Sequence, residues 1–257
     1  MTDRRQRQKE QRATRLEEQK KAATRKEFRR RIRVALGIGL GLTAVLVLTS
    51  VLGNQPTTLP ASYQAFRDQP TACGAEAPPE VEIMSFPEPE DQGLGSEPVT
   101  VTINTSCGPI GVDLDPASYP ATVNSFVFLA REGFYHGSVF HRIASGFVIQ
   151  GGDPEATGTG GPAYVVPDEF PPDDFIYEEG VVAMANAGGG TTGSQFFVVV
   201  GDDARVLNNT FNVLGRVVSG QETLDAIEGL STSVAPGTNE RSRPVETVYI
   251  ESIEIGQ

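Results

Sequence analysis

The stretch Phe140-His141-Arg142-Ile143-Ala144-Ser145-Gly146-Phe147-Val148-Ile149-Gln150-Gly151-Gly152-Asp153 decides the fold class of this chain. It predicts two short strands, Val139–Arg142 and Phe147–Gly151, punctuated by glycine. Upstream, Val99-Thr-Val-Thr-Ile-Asn104 alternates apolar and polar side chains, Cys107-Gly108-Pro109 reads as a turn, and Ile110 to Leu114 resumes the alternation. These predict a hairpin. Val123, Phe126, Val127 and Ala130 then recur at helical spacing, with Pro120 and Thr122 as start signals and Gly133 as a stop. Downstream, strands are predicted at Val181–Ala185, Gln195–Val200 and Phe211–Val217, a second helix at Glu222–Glu228 before Gly229, and a long final strand at Val245–Ile255. Short strands, two helices and glycine-rich turns predict a mainly β barrel or sandwich with helical caps. Periodicity names no function.

Two further segments accompany the first: Met184-Ala185-Asn186-Ala187-Gly188 and Gly193-Ser194-Gln195-Phe196-Phe197. Thr159-Gly160-Gly161 lies between them and the opening stretch, and Leu214-Gly215-Arg216 follows. In order and spacing the set resembles the cyclophilins, over residues 98–257. The resemblance implies a closed eight-stranded antiparallel β-barrel with a helix over each end and an active groove on its outer wall. It implies peptidyl-prolyl cis-trans isomerase activity on proline-containing polypeptides, with no cofactor and no metal.

The chemistry suits these residue types. Turning an Xaa-Pro bond breaks no covalent bond. The obstacle is amide resonance, a barrier of roughly 18–20 kcal/mol for peptide bonds. A catalyst must hold proline in an apolar hollow and bind the twisted amide better than either planar form. By resemblance Arg142 is the catalytic group, its guanidinium donating to the proline nitrogen as resonance is lost. Phe147, Val148, Phe197 and Leu207 would line the proline pocket, with Ala185 and Phe211 completing the substrate-binding set. Gln150 and Gln195 would bond the substrate backbone, and Asn186 would present main-chain groups to it. This chain departs from the family pattern at Val206, where Trp is common, at Phe211, where His is common, and at Val148, where Met is usual. Read by themselves, Phe147, Phe196 and Phe197 could equally be core, with Phe196 the one expected inside. His141 reads as packing, because no proton moves. Glycines 151, 152, 158, 160 and 161 read as loop geometry: no Lys follows them and no strand–loop–helix context for phosphate binding appears.

Charge divides the chain sharply. Residues 1–33 hold 14 of the 21 Lys and Arg and only five of the 33 acidic residues, and no lysine occurs after Lys26. The strongly acidic remainder is repelled by phosphate, which excludes nucleic acid as its partner. From Val34 to Leu52 no residue is charged, and Arg29, Arg30, Arg31 and Arg33 flank that run on its N-terminal side. Such a run is long enough for one membrane span. The basic flank predicts a cytoplasmic N-terminus, hence a single-pass protein of the cell membrane with its folded domain outside. A cleaved signal peptide is the rival, though its basic and apolar segments are normally shorter. Gly37 and Gly41 form a GxxxG pair on which two such helices could associate weakly as a homodimer.

The predicted organisation is therefore a basic cytoplasmic arm (1–33), a transmembrane anchor in contact with the bilayer (34–53), a Pro-rich connector (54–97) and the isomerase domain (98–257). The connector reads as an extended spacer rather than a packed domain, interrupted by the apolar clusters Tyr63/Phe66 and Val81/Ile83/Met84/Phe86, through which part of it could lie down on the neighbouring domain. Cys73 and Cys107 are the only cysteines. On the far side of a membrane such a pair is expected to bridge; a catalytic or metal-binding thiol is the rival, without a CxxC partner or nearby His to support it. The alternative to an enzyme is a membrane-anchored proline-binding or chaperone-like module with little turnover.

Overall fold

Alternation of side chains builds the first hairpin of the computed structural model, which describes residues 59–256. Strands β1 (Val99–Thr105) and β2 (Gly108–Leu114) pair with Val101 opposite Val112 and Ile103 opposite Ile110, all four fully buried. The reversal falls at Ser106-Cys107, so Gly108 and Pro109 already belong to β2 rather than to the predicted turn. Helix α2 (Pro120–Arg131) follows, then β3 (Arg142–Ala144), β4 (Val148–Gly151), β5 (Val181–Met184), β6 (Phe196–Val199) and β7 (Val213–Ser219). The chain ends with α3 (Gln221–Glu228), β8 (Thr232–Val234), β9 (Arg241–Pro244) and β10 (Ile250–Ile255). Eight strands form one curled antiparallel sheet in the order β10-β1-β2-β7-β5-β6-β4-β3, while β8 and β9 make a separate ribbon. Helix α2 packs on β10 and β7, and α3 touches β2 and β3.

Three expectations about the strands need correction. The edge strands β3 and β10 are not ladder partners, so strand pairing alone does not close the sheet. The backbone of residues 137–140 spans the gap instead: Gly137 N donates to Ile250 O (2.8 Å), Ile250 N to Ser138 O (2.8 Å) and Phe140 N to Val248 O (3.0 Å). Val139, predicted as the start of a strand, makes only single bridges to Asp153 and Tyr249. The long final strand is likewise shortened to Ile250–Ile255, because Tyr249 turns to bond Ser106. The β8–β9 ribbon was not foreseen; its residues are mostly polar, and the buried Ser242 and Pro244 form no apolar alternation that marks a strand.

The sheet interior is aromatic. Phe196 packs edge-on to Phe126 (5.6 Å between centroids), Tyr135 (5.8 Å) and Phe140 (6.1 Å). Helix α2 buries Val123, Phe126, Val127 and Ala130 as its spacing predicts, and also Phe128 and Leu129. Its first turn has no cap from its own N-terminal neighbour. A distant carboxylate supplies one: Glu169 accepts from Ala121 N (3.0 Å), Thr122 N (2.8 Å) and Thr122 Oγ1 (2.6 Å). An anion at that position also complements the helix dipole.

Phe128 is buried because the connector lies over it. From Leu59 onward the chain is part of the same compact unit as the sheet, with the connector lying on the domain through its apolar clusters. Helix α1 (Ala61–Arg67) buries Tyr63 and Phe66 completely, beside Val81, Val139 and Tyr249. The Tyr63 hydroxyl donates to Gly137 O (2.8 Å) and accepts from Val81 N (3.0 Å). Further along, Phe86 meets Phe128 edge-on at 5.0 Å, and Asn124 Oδ1 of α2 accepts from Gln92 N (2.8 Å). Proline sets the backbone path without preventing the aromatic residues between from burying their rings. The predicted arm, anchor and Gly37/Gly41 pair lie outside the described residues. Among the described residues no helix is long and apolar enough to cross a membrane.

Cys73 and Cys107 are joined, with Cα atoms 5.1 Å apart, clipping the connector to the first hairpin across 34 residues. In the chain-entropy account closing such a loop contributes about 4 kcal/mol. The native chain should therefore resist thiol labelling until reductant is added, and Cys73→Ser should lower the unfolding free energy in urea by about 4 kcal/mol. Labelling without reductant would show that the bridge does not form.

Candidate functional site

Strand register assembles the site. Arg142 on β3 lies opposite Gln150 on β4, Gln150 opposite Phe197 on β6, and Phe197 opposite Ala183 on β5. Directly opposed residues project to the same face of a sheet, so an arginine, a glutamine and an aromatic ring form one row. Ile149, between Val148 and Gln150, points the other way and is fully buried.

The row is joined by hydrogen bonds. Arg142 Nη1 donates to Gln150 Oε1 (3.2 Å), Gln150 Nε2 to Gln195 Oε1 (3.0 Å) and Gln195 Nε2 to Gly160 O (3.0 Å). The Arg142 guanidinium carbon sits 5.2 Å from the centre of the Phe147 ring, a cation–π arrangement. On its other side Glu240 takes two bonds, from Nε to Oε2 (2.8 Å) and from Nη2 to Oε1 (2.6 Å). These bonds from Arg142 hold the Glu240 carboxyl down at about 2, helped by a bond from Ser242. Glu240 was not foreseen. It sits 98 residues from Arg142, between β8 and β9, and no local pattern marks it.

Beyond the row lie the apolar side chains expected to form the proline hollow. Phe197 and Phe211 meet edge-on at 5.6 Å, and the buried Tyr177 lies behind both, at 6.4 and 6.2 Å. Tyr177 also donates its hydroxyl to Phe211 O (2.8 Å), and burial raises its pKa to about 12. It is a supporting residue that the sequence reading missed. Leu207 follows the 3-10 turn Asp202–Val206 and is half-buried, like Phe147 and Phe211, while Val206 is 83% exposed and faces water. Phe196 and Phe197 are both buried, but on opposite faces: the first inside the sheet, the second in the hollow.

Beside the hollow a groove of about 750 Å³ runs over Gln150, Ala185, Asn186 and Gln195. Ala185 N donates to Gln195 O (2.8 Å). The Asn186 side chain turns inward, donating to Thr210 O (2.7 Å) and accepting from Gly188 N (3.1 Å). Ile83, Met84 and Ser85 of the packed connector form part of the same groove wall, a contribution that a spacer would not make.

The glycines around Asp153 form loop geometry, as read. The buried Asp153 carboxylate accepts from the backbone N–H of Glu155 (2.8 Å), Thr157 (2.9 Å), Gly158 (2.7 Å) and Gly160 (3.1 Å). With its own anion already there, this loop offers no phosphate site. Gly152 has φ +79°, and a Cβ there would come within 2.6 Å of Ser194 O, so only glycine fits. His141 packs with Nδ1 buried and without a partner; burial, opposed by Asp153 and reinforced by Arg142 and Arg243, lowers its pKa to about 4. It is neutral at pH 7. Among the described residues no group of three His, Cys, Asp or Glu side chains could hold a metal.

The arrangement is thus a cation stacked on Phe147, bonded through a chain of amides that line the groove, beside the Phe197–Phe211 aromatic cluster. Comparison with known proteins agrees with it. A family model described as cyclophilin type peptidyl-prolyl cis-trans isomerase/CLD matches residues 100–255. The probable peptidyl-prolyl cis-trans isomerase A of Mycobacterium leprae is 42% identical over 173 residues, covering 61% of this chain and 91% of that protein. The peptidyl-prolyl cis-trans isomerase B of Streptomyces anulatus is 40% identical over 177 residues, covering 62% and 98%. A solved cyclophilin type isomerase of Cryptosporidium parvum is 30% identical with a TM-score of 0.56, covering 62% of this chain and 98% of that one. A second structure of that protein, determined in the presence of the dipeptide Ala-Pro, is 31% identical with a TM-score of 0.55, covering 62% and 99%. The cross-strand row, the hollow and the match along nearly the whole sheet lead to one conclusion: this chain belongs to the cyclophilin-type peptidyl-prolyl cis-trans isomerases.

Proposed function

We propose that this isomerase acts on Xaa-Pro bonds of exported, still-unfolded polypeptides, from outside the cytoplasm, with Arg142 as the catalytic residue. The observation that carries the catalytic assignment is the Arg142 guanidinium, held over Phe147 and tied to Gln150 beside the apolar hollow. Phe147, Val148, Phe197, Leu207 and Phe211 take the proline ring. Gln150 and Gln195 bond the substrate backbone, and Ala185 and Asn186 receive the residue before proline. Binding the ring while donating to the imide nitrogen favours the twisted bond over both planar isomers. A reading as a proline binder without turnover is not favoured, because the family model and the named relatives are isomerases.

The location rests on the uncharged run 34–52 behind its arginine flank, which supports a single-pass anchor with a cytoplasmic N-terminus. The Cys73–Cys107 bond supports an oxidising compartment for the domain. Both observations suit an enzyme waiting where translocated chains emerge. Gly37 and Gly41 offer a face for weak homodimerisation within the bilayer.

In a protease-coupled assay on an Xaa-Pro peptide the chain should accelerate exchange, and Arg142→Ala should lower kcat/KM about 100-fold or more while thermal unfolding is unchanged. No acceleration by the parent chain would eliminate the isomerase. His141, lowered to about 4, and Glu240, lowered to about 2, keep one protonation state from pH 6 to 8. The rate should accordingly be flat over that range, and a steep dependence would contradict the mechanism. Both shifts disfavour protons in the fold. Stability should therefore fall with acid, through His141 as pH drops from 6.5 toward 4 and through Glu240 from 4.5 toward 2. Carbonate washing should leave the full chain in membranes, and deletion of residues 1–53 should release it; cleavage near residue 53 would replace the anchor with a signal peptide.

A further inference from the structure

We infer that Glu240 is a positioning residue for the isomerase reaction: its carboxylate grips the Arg142 guanidinium side-on and aims the remaining N–H donors at the groove. A guanidinium carries five N–H donors in one plane. Glu240 takes one from Nε (2.8 Å) and one from Nη2 (2.6 Å), and Gln150 takes one from Nη1 (3.2 Å). One donor on each terminal nitrogen remains. The clamp thus orients the group without consuming all of its donors.

The clamp is itself braced. Ser242 Oγ donates to Glu240 Oε2 (2.7 Å), Glu240 N donates to Thr238 Oγ1 (3.1 Å), and Ala235 N donates to Glu240 O (2.8 Å). Strand β9 packs against β3, bringing the ribbon turn to the head of the strand that bears Arg142. The Arg142 and Glu240 side chains are 27% and 41% exposed, so their attraction is screened and adds little to folding. What it does add is direction to a long, flexible side chain bonded to Gln150 of the groove wall.

Electrostatics alone would give the opposite sign. An anion beside Arg142 weakens the positive field on the imide nitrogen, so a purely electrostatic Glu240 would slow the reaction and its removal would speed it. Positioning predicts a loss instead, because a donor misplaced by an ångström forfeits much of its effect on the transition state.

The test uses the full-length chain in steady-state isomerisation of an Xaa-Pro peptide. Glu240→Gln should lower kcat roughly 10- to 100-fold with KM unchanged and the thermal midpoint preserved. Glu240→Asp should recover part of the loss. In an Arg142→Ala background Glu240→Gln should have no further effect, since Glu240 acts only through that guanidinium. A Glu240→Gln rate equal to or above that of the parent, or an equal loss with and without Arg142, would overturn the inference and leave the isomerase intact. A parent chain silent in the same assay would overturn both.

Discussion

The register between β3 and β4 is the constraint on which the site depends. Arg142 opposite Gln150 places an arginine and an amide on the outward face, while Ile143 and Ile149, opposed in the same ladder, enter the core and are fully buried. A slip of one residue would exchange the faces, putting a guanidinium among Phe126, Phe140 and Phe196 and two isoleucines in water. Burial of the isoleucines therefore holds the cation outside. The same ladder extends through Phe197 to Ala183, so the hollow and the cation share one backbone lattice.

Around that lattice, polar groups are satisfied by long-range partners rather than by local ones. Glu169 caps a helix 47 residues earlier in the chain, and the buried Asn212 side chain bonds Thr122 Oγ1 (2.9 Å) and Pro167 O (2.8 Å). Asp153 gathers the glycine loop that carries Gly160, whose carbonyl anchors Gln195 and through it the whole amide chain to Arg142. Leaving such buried groups unpartnered would cost far more than the bonds return when made, which ties loop geometry to the aim of the functional side chains. The connector joins the same system: Tyr63 bonds the backbone at Gly137 within the segment that spans the sheet edges, and residues 83–85 wall the groove.

An enzyme that moves no proton has no use for a titrating base, and the site is arranged accordingly. At pH 7 its histidine is neutral and its carboxylate is ionised against arginine. What the protein supplies is shape and fixed charge, preorganised before substrate arrives.

Much of this was legible in the residues themselves. Period-two alternation in Val99–Leu114 and helical spacing in Val123–Ala130 are local properties, since each residue's face follows from its neighbours' positions. The motif residues from Phe140 to Asp153, and those around Asn186 and Gln195, resemble a known family because the groove is built from contiguous strand segments. Glu240, Tyr177 and Glu169 were not legible, for each acts on a partner many residues away and carries no sign of it in its own vicinity. How far the connector packs was not legible for a related reason: proline content describes the stiffness of a chain, whereas burial of Tyr63 and Phe66 depends on a surface that exists only after the sheet has curled. Sequence determined which face each strand turns inward. Tertiary structure alone decided which distant side chains complete the face turned outward, because that choice is made by distances in space that no spacing along the chain encodes.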